Sequence, residues 1–257
     1  MEPSRGRLTF LGNIDGKNLL NRPRRPVNNL DFGGHRVWIG PQIDWTPVWP
    51  APANWESAPA ASVRLLRSGW IEIISPAGPK GEAAIRRTYR WSREGLLTCS
   101  VSWKETSARG RQAMNILQIE NSANVQARAE PGTHAPLGFA RIPTDAGQVV
   151  DTKITCPPQA VIRGDRVFLR RGGRQEKLGF RPQPLTARWR TAELIMHPGR
   201  VWGLAGSDPD LGFRSQVYLG SDEWPVLEIE QFTPRLRPIL PGLTVGQTVT
   251  IELRARK

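Results

Sequence analysis

The sequence predicts an all-β chain: one domain over residues 1–257 built from two large, mostly antiparallel sheets. Three observations carry this. Strand-like segments recur at near-even spacing along the whole chain. Turn signals separate them at roughly the 8–12-residue interval typical of sandwiches and barrels. Finally, 23 prolines and 25 glycines interrupt every stretch long enough to be a substantial helix. No linker or internal repeat divides the chain, and its length suffices for a large core.

Taken in order, Gly6-Arg7-Leu8-Thr9-Phe10-Leu11 leads into a turn at Asp15-Gly16, and Asn18-Leu19-Leu20-Asn21 closes a first hairpin. Residues 22–26 form a basic, proline-rich connection. The segment 32–56 organises the reading. It carries Trp38, Trp45, Trp49 and Trp55 with Pro41, Pro47, Pro50 and Pro52, behind Gly33-Gly34 and His35-Arg36. So much proline excludes a helix interior or a central strand, which leaves a long ordered loop. Its indoles either cap a sheet core or wall a ligand cleft.

Strands are expected at 62–67 and 69–75, the latter placing Trp70, Glu72 and Ile74 on one side and Ile71 and Ile73 on the other. A hairpin at 84–91 and 96–103 and a strand at 115–121 follow. Short strands are expected at 135–143 and 149–155 around 145–147. Two hairpins are expected at 160–163 with 166–170, and at 193–197 with 200–205. Strands at 216–219, 226–232 and 247–254 close the chain. Only 175–190 looks at all helical, and Pro182 and Pro184 argue against it.

The net charge is +13, from 36 Lys+Arg against 23 Asp+Glu. The arginines are dispersed, and no RNP, zinc-finger or helix-turn-helix pattern accompanies them, so no specific nucleic-acid partner is expected. No apolar run approaches a membrane span. Cys99 and Cys156 have no metal-ligand spacing, and a single bridge between them is left open. No secretory signal is visible, which fits a cytoplasmic protein, or a secreted one if the N-terminus is truncated. No phosphate loop, nucleophile elbow or metal cluster is found, so neither cofactor nor metal is expected.

The strand 226–232 offers the most chemistry. Glu228 and Glu230 are two apart and share a face, with Leu227 and Ile229 on the other. On a cleft wall each carboxylate would raise the other's pKa; on a solvated strand face they would be inert. Of the three histidines, His35 heads the tryptophan segment beside Arg36, and His197 precedes a turn. Arg36 is suited to gripping hydroxyls or a carboxylate, while Trp38, with Trp49 farther along, is suited to stacking on a sugar ring.

Three passages in order resemble the galactose-mutarotase-like superfamily, the β-supersandwich of aldose 1-epimerases. They are Gly6-Arg7-Leu8-Thr9-Phe10 with Asn18-Leu19-Leu20, Ile119-Glu120-Asn121-Ser122, and Val226 through Pro234 followed by Leu240-Pro241-Gly242. The Gly33-Gly34-His35-Arg36-Val37-Trp38 passage resembles an uncharacterised branch of it. The resemblance implies Glu228 as catalytic base and places His134 where the family has its imidazole. His35 is the rival acid, and Arg36, Trp38, Glu230 and Trp49 would hold substrate. The expected function is binding of a free sugar or oligosaccharide, with aldose 1-epimerase-type isomerisation as its catalytic form. The alternatives are a non-catalytic glycan-binding module and a lyase or polyanion binder for acidic polysaccharide, with Arg36 neutralising a uronate.

Overall fold

The structure is a computed structural model that describes residues 2, 6–12, 16–21, 33–47, 49–56, 58–92, 94–144, 148–240 and 242–256. Asp15 of the first turn, the 22–26 connection, the 145–147 turn and Pro241 lie outside these residues. In chain order come β1 (Gly34–Gly40), a 3-10 turn (Gln42–Asp44), a one-turn helix α1 (Ala53–Glu56), β2 (Ser62–Leu65), β3 (Ile71–Ile74), β4 (Arg86–Trp91), β5 (Leu96–Lys104) and β6 (Gln112–Ile119). There follow β7 (Asn124–Arg128), β8 (Ala140–Arg141), β9 (Ala160–Arg163), β10 (Arg166–Leu169), β11 (Glu176–Phe180), β12 (Leu185–Arg188) and β13 (Ala192–His197). The last are β14 (Val201–Trp202), β15 (Leu204–Ala205), β16 (Ser215–Leu219), β17 (Leu227–Phe232), β18 (Leu236–Arg237) and β19 (Thr244–Ala255).

Two large antiparallel sheets result, as the sequence predicts, together with a small two-stranded one of β15 and β18. A six-stranded sheet has the order β1-β6-β17-β16-β11-β8, and an eleven-stranded sheet runs β2-β3-β4-β5-β19-β13-β12-β7-β10-β9, with β14 on β19. Strands β6 and β17 pack across β12, β13 and β19, so the inner faces of the two sheets enclose one hydrophobic core. Val37, Leu117, Ile229 and Val217 fill it from the smaller sheet, and Val101, Leu194 and Val249 from the larger. Polar side chains in that layer are paired across it. Asn115 donates to Gln247 Oε1 (2.7 Å), and Gln231 donates to the Gln183 and Met196 carbonyls (2.9 and 3.2 Å).

Several local expectations are corrected. Residues 34–40 are a strand rather than loop, because proline begins only at Pro41; the loop proper is 41–52. Two strands, β11 and β12, occupy 175–190, one on each side of the two prolines. β13 pairs with β12 and β19, and the short β14 joins β19, so 193–205 is not a hairpin. Regions 135–143 and 149–155 are mostly irregular, contributing only β8 and one bridge, Arg141 to Asp151. Neither thiol is bonded: Cys99 is buried and Cys156 exposed.

The N-terminal segment runs beside β1. Leu8 bridges His35, whose N–H donates to the Leu8 carbonyl (2.8 Å), and Leu20 bridges Ile119. Gly34 permits this approach. Its φ is +81°, and an added Cβ would lie 2.3 Å from the Leu8 oxygen. Gly34→Ala is therefore expected to cost about 2–4 kcal/mol through strain and the lost bridge. A urea unfolding midpoint lowered without a change in m would be the signature, and an unchanged midpoint would refute it.

Candidate functional site

Strand register assembles the site on the outer face of the six-stranded sheet. Directly paired residues share a face. One row joins Trp38, Met114 and Phe232; the next joins Arg36, Ile116, Glu230 and Gln216; a third joins Gly34, Gln118, Glu228, Tyr218 and Lys177. Glu228 and Glu230 thus share one face as their spacing predicts. Neither is solvated, being 7% and 1% exposed.

Half of this face is closed by a buried ionic cluster. The Arg36 guanidinium donates to both carboxylate oxygens of Glu56, through Nε at 3.1 Å and through Nη2, and reaches Glu228 Oε1 at 3.4 Å. Trp38 Nε1 donates to Glu56 Oε2 (2.9 Å), and the Arg36 guanidinium lies 4.5 Å from the Trp38 ring centre. Arg7 donates to the Glu56 and Gly33 carbonyls. Gln118 Nε2 donates to Glu228 Oε1 at 2.5 Å, while its Oε1 accepts the Gly33 N–H. Glu56 arrives on α1, at the end of the tryptophan loop. That loop is fastened in turn by Trp45 Nε1 on the Ile39 carbonyl and Trp55 Nε1 on the Ala83 carbonyl, both at 2.8 Å. Trp49, 41% exposed, packs edge-on against Trp38 with ring centres 5.8 Å apart.

The other half is open. A cleft of ≈ 430 Å³ lies over Gln112, Met114, Phe232, Gln216 and Lys177, with Pro41–Ile43 on one wall and Ile142–Thr144, Gln148–Val150 and Pro209–Leu211 completing it. Lys177 Nζ sits 2.8 Å from Glu230 Oε2 and 5.1 Å from the Phe232 ring centre. Burial pushes the Glu230 carboxyl up to about 7, against the pull of the Lys177 charge and with a further push from Glu228. Burial also raises Asp210, opposed by Lys177 and by the hydrogen bond from Gln216 Nε2 (2.7 Å). The cleft therefore presents the Lys177 ammonium, the Asp210 carboxyl biased toward its neutral form, the amides of Gln42, Gln112, Gln148 and Gln216 and an aromatic ring, with Glu230 buried next to Lys177. Among the described residues, no cluster of His, Cys, Asp and Glu could hold a metal.

The structure brings Arg36, Trp38, Glu228 and Glu230 onto one face and keeps the histidines away. His35 follows Gly34 on a strand, so it points to the opposite face from Arg36, into the inter-sheet core. There Nδ1 meets Tyr89 Oη at 2.9 Å and lies 3.8 Å from Cys99 Sγ. Burial, aided by the charge of Arg87, lowers its pKa to about 3 despite the neighbouring Asn115. His35 is thus a neutral core residue and does not face Glu228 across a cleft. His134 lies on an exposed loop and does not line the cleft. His197 is partly buried on β13 rather than in a turn, 3.4 Å from Glu252. Arg36, Trp38, Trp49, Glu228 and Glu230 also lie off the cleft lining. Sequence reading missed Glu56, Lys177, Asp210 and Gln216. Of these Lys177 had a local signal: in β11 it and Gly179 alternate with the buried Leu178 and Phe180.

No protein-family model matches the chain, and no curated protein matches it. Solved structures do. A galactose mutarotase-like protein from Lactobacillus casei superposes with TM-score 0.60 at 10% identity, covering 99% of this chain and 96% of its own. A protein of Synechocystis sp. PCC 6803 gives 0.61 at 10% identity over 99% and 90%. A candidate mutarotase of Salmonella typhimurium gives 0.53 at 10% identity over 98% and 85%. At such identities the likeness is one of fold, and it agrees with the two antiparallel sheets and their single core: this chain has the galactose mutarotase-like β-supersandwich fold.

Proposed function

We propose that the chain is a carbohydrate-binding protein that takes a free sugar, or one end of an oligosaccharide, into the cleft over β6, β17, β16 and β11. The observation that carries this is the lining itself. Lys177, Asp210, Gln216 and Gln112 converge as hydrogen-bonding groups beside Phe232 and Met114, in a volume within the ordinary range for small-ligand sites. Hydroxyls alternating with C–H faces are what such a surface complements. In this reading Arg36, Glu228 and Trp38 are positioning residues. They hold the loop wall and the Glu230 strand in place, and Trp49 offers an exposed edge for a second sugar ring.

A catalytic form of the same reading is favoured by the Glu230–Lys177 pair. Anomer exchange requires a base for the C1 hydroxyl and an acid for the ring oxygen. A carboxyl with a pKa of about 7 beneath a cleft lysine, with Asp210 alongside, supports a proton pair of carboxyls and ammonium in place of imidazole. The non-catalytic glycan module uses the same cleft without turnover. Saturation-transfer NMR on a panel of aldoses separates the two, since binding without accelerated exchange supports the module.

Phe232→Ala and Gln216→Ala are each expected to weaken saccharide binding about 10-fold or more, in line with the loss of a stacking face or a buried hydrogen bond. Calorimetric titration showing wild-type affinity in both variants would remove the cleft from the proposal. His35 is expected to show no imidazole titration between pH 5 and 9 by NMR, because its pKa is about 3; a midpoint in that window would reinstate it as a proton donor. For Glu230 the folded pKa of about 7 exceeds the ordinary 4.5, so the folded state holds the proton more tightly than the unfolded chain. Its stabilising contribution is complete below about pH 4.5 and is lost as pH rises through about 7. The stability difference between wild type and Glu230→Gln should accordingly change across that window with a slope approaching one proton; a flat difference would contradict it.

A further inference from the structure

We propose a second binding site, for a phosphate or sulfate group, that shares no lining residue with the cleft. A cavity of ≈ 670 Å³ lies where the β12–β13 turn, the end of β19 and the turn after β6 meet, and it collects Lys17, Arg188, Arg190 and Arg256. These four cations come from three distant parts of the chain, Lys17, Arg188 with Arg190, and Arg256, so no single sequence run gathers them. Thr191 adds a hydroxyl, and Trp189 and Phe168 supply the apolar wall. No carboxylate lines the cavity among the described residues.

The nearby acids are already engaged. Glu193 binds Arg188 Nε at 2.5 Å, and Glu120 accepts the Trp189 indole N–H at 3.0 Å and bonds to Ser122. Arg256 is held in place by donation from Nη1 to the Trp189 carbonyl (2.7 Å). Arg190 makes no hydrogen bond or ion pair among the described residues. Three guanidinium groups around one cavity match a tetrahedral oxyanion, which accepts several N–H donors at once and disperses the repulsion between them. The cations line one bounded cavity, which favours a compact anionic group over an extended polyanion. β6 runs from the cleft at Gln112 to Ile119, and Ser122 of the second cavity follows it, so the two sites are reached from opposite ends of one strand.

The test uses the full chain at constant ionic strength, titrated with inorganic phosphate and separately with inorganic sulfate against a chloride control. NMR should show saturable shifts of the Trp189 indole N–H and of the amides around 188–192. The double variant Arg190→Ala/Arg256→Ala should weaken binding by about 10-fold or more, as expected for loss of charge-assisted bonds. The equally charge-reducing control Arg67→Ala/Arg109→Ala, at exposed positions that do not line the cavity, should leave it unchanged. Phosphate affinity rising from pH 6 to 8, with sulfate affinity flat, assigns a phosphate-bearing ligand; tighter sulfate binding throughout assigns a sulfated one. The proposal is overturned by the absence of a saturable shift, by equal weakening in the control pair, or by shifts spread over the general basic surface. It is also overturned if a short oligonucleotide binds without perturbing Trp189.

Discussion

The guanidinium of Arg36 lies buried between two carboxylates that reach it from different parts of the chain, Glu56 from the tryptophan loop and Glu228 from the centre of the six-stranded sheet. A cation removed from water to this degree costs several kcal/mol unless its partners are in place. The loop cannot deliver Glu56 without folding residues 41–52 down over the sheet, and Trp38 adds its own bond to the same carboxylate. Loop, helix and sheet are consequently one mechanical unit. The cluster seals one half of the outer face, and the remaining half is the cleft.

Within that cleft the electrostatics follow from how acids and bases share a single pleated surface. Glu228 accepts hydrogen bonds from Arg36 and Gln118, and its carboxylate bears on Glu230, its neighbour two residues along. Glu230 is fully desolvated and has Lys177 as its counter-ion. The result is a carboxyl and an ammonium that exchange influence at the edge of a small-molecule-sized space. The His35 imidazole sits instead behind the sheet, hydrogen-bonded to Tyr89. On the proposed reading, proton traffic in this chain runs through carboxyls and a lysine.

Much of this was legible locally. The strands of residues 84–103, the hairpin at 160–170, the shared face of Glu228 and Glu230 and the buried Leu227 and Ile229 all follow from period-two alternation. The adjacent pair His35-Arg36 shows where the reading broke down. A loop at 34–40 would let both side chains reach one site. As a strand, the same residues must diverge, one into the core and one onto the outer face. Similarly, the prolines at 182 and 184 disqualified a helix without revealing that they separate two strands belonging to different sheets.

By itself, then, the sequence determined the all-β class, most strand positions and which side chains share a face, because alternation and turn chemistry act over a few residues. Tertiary structure alone decided which charges meet. Lys177 reaches Glu230 because β16 lies between β11 and β17, and Glu56 reaches Arg36 because the loop folds back over β1. Strand order and loop return are set by the burial of the whole chain around one core, a long-range condition that no local run of residues encodes.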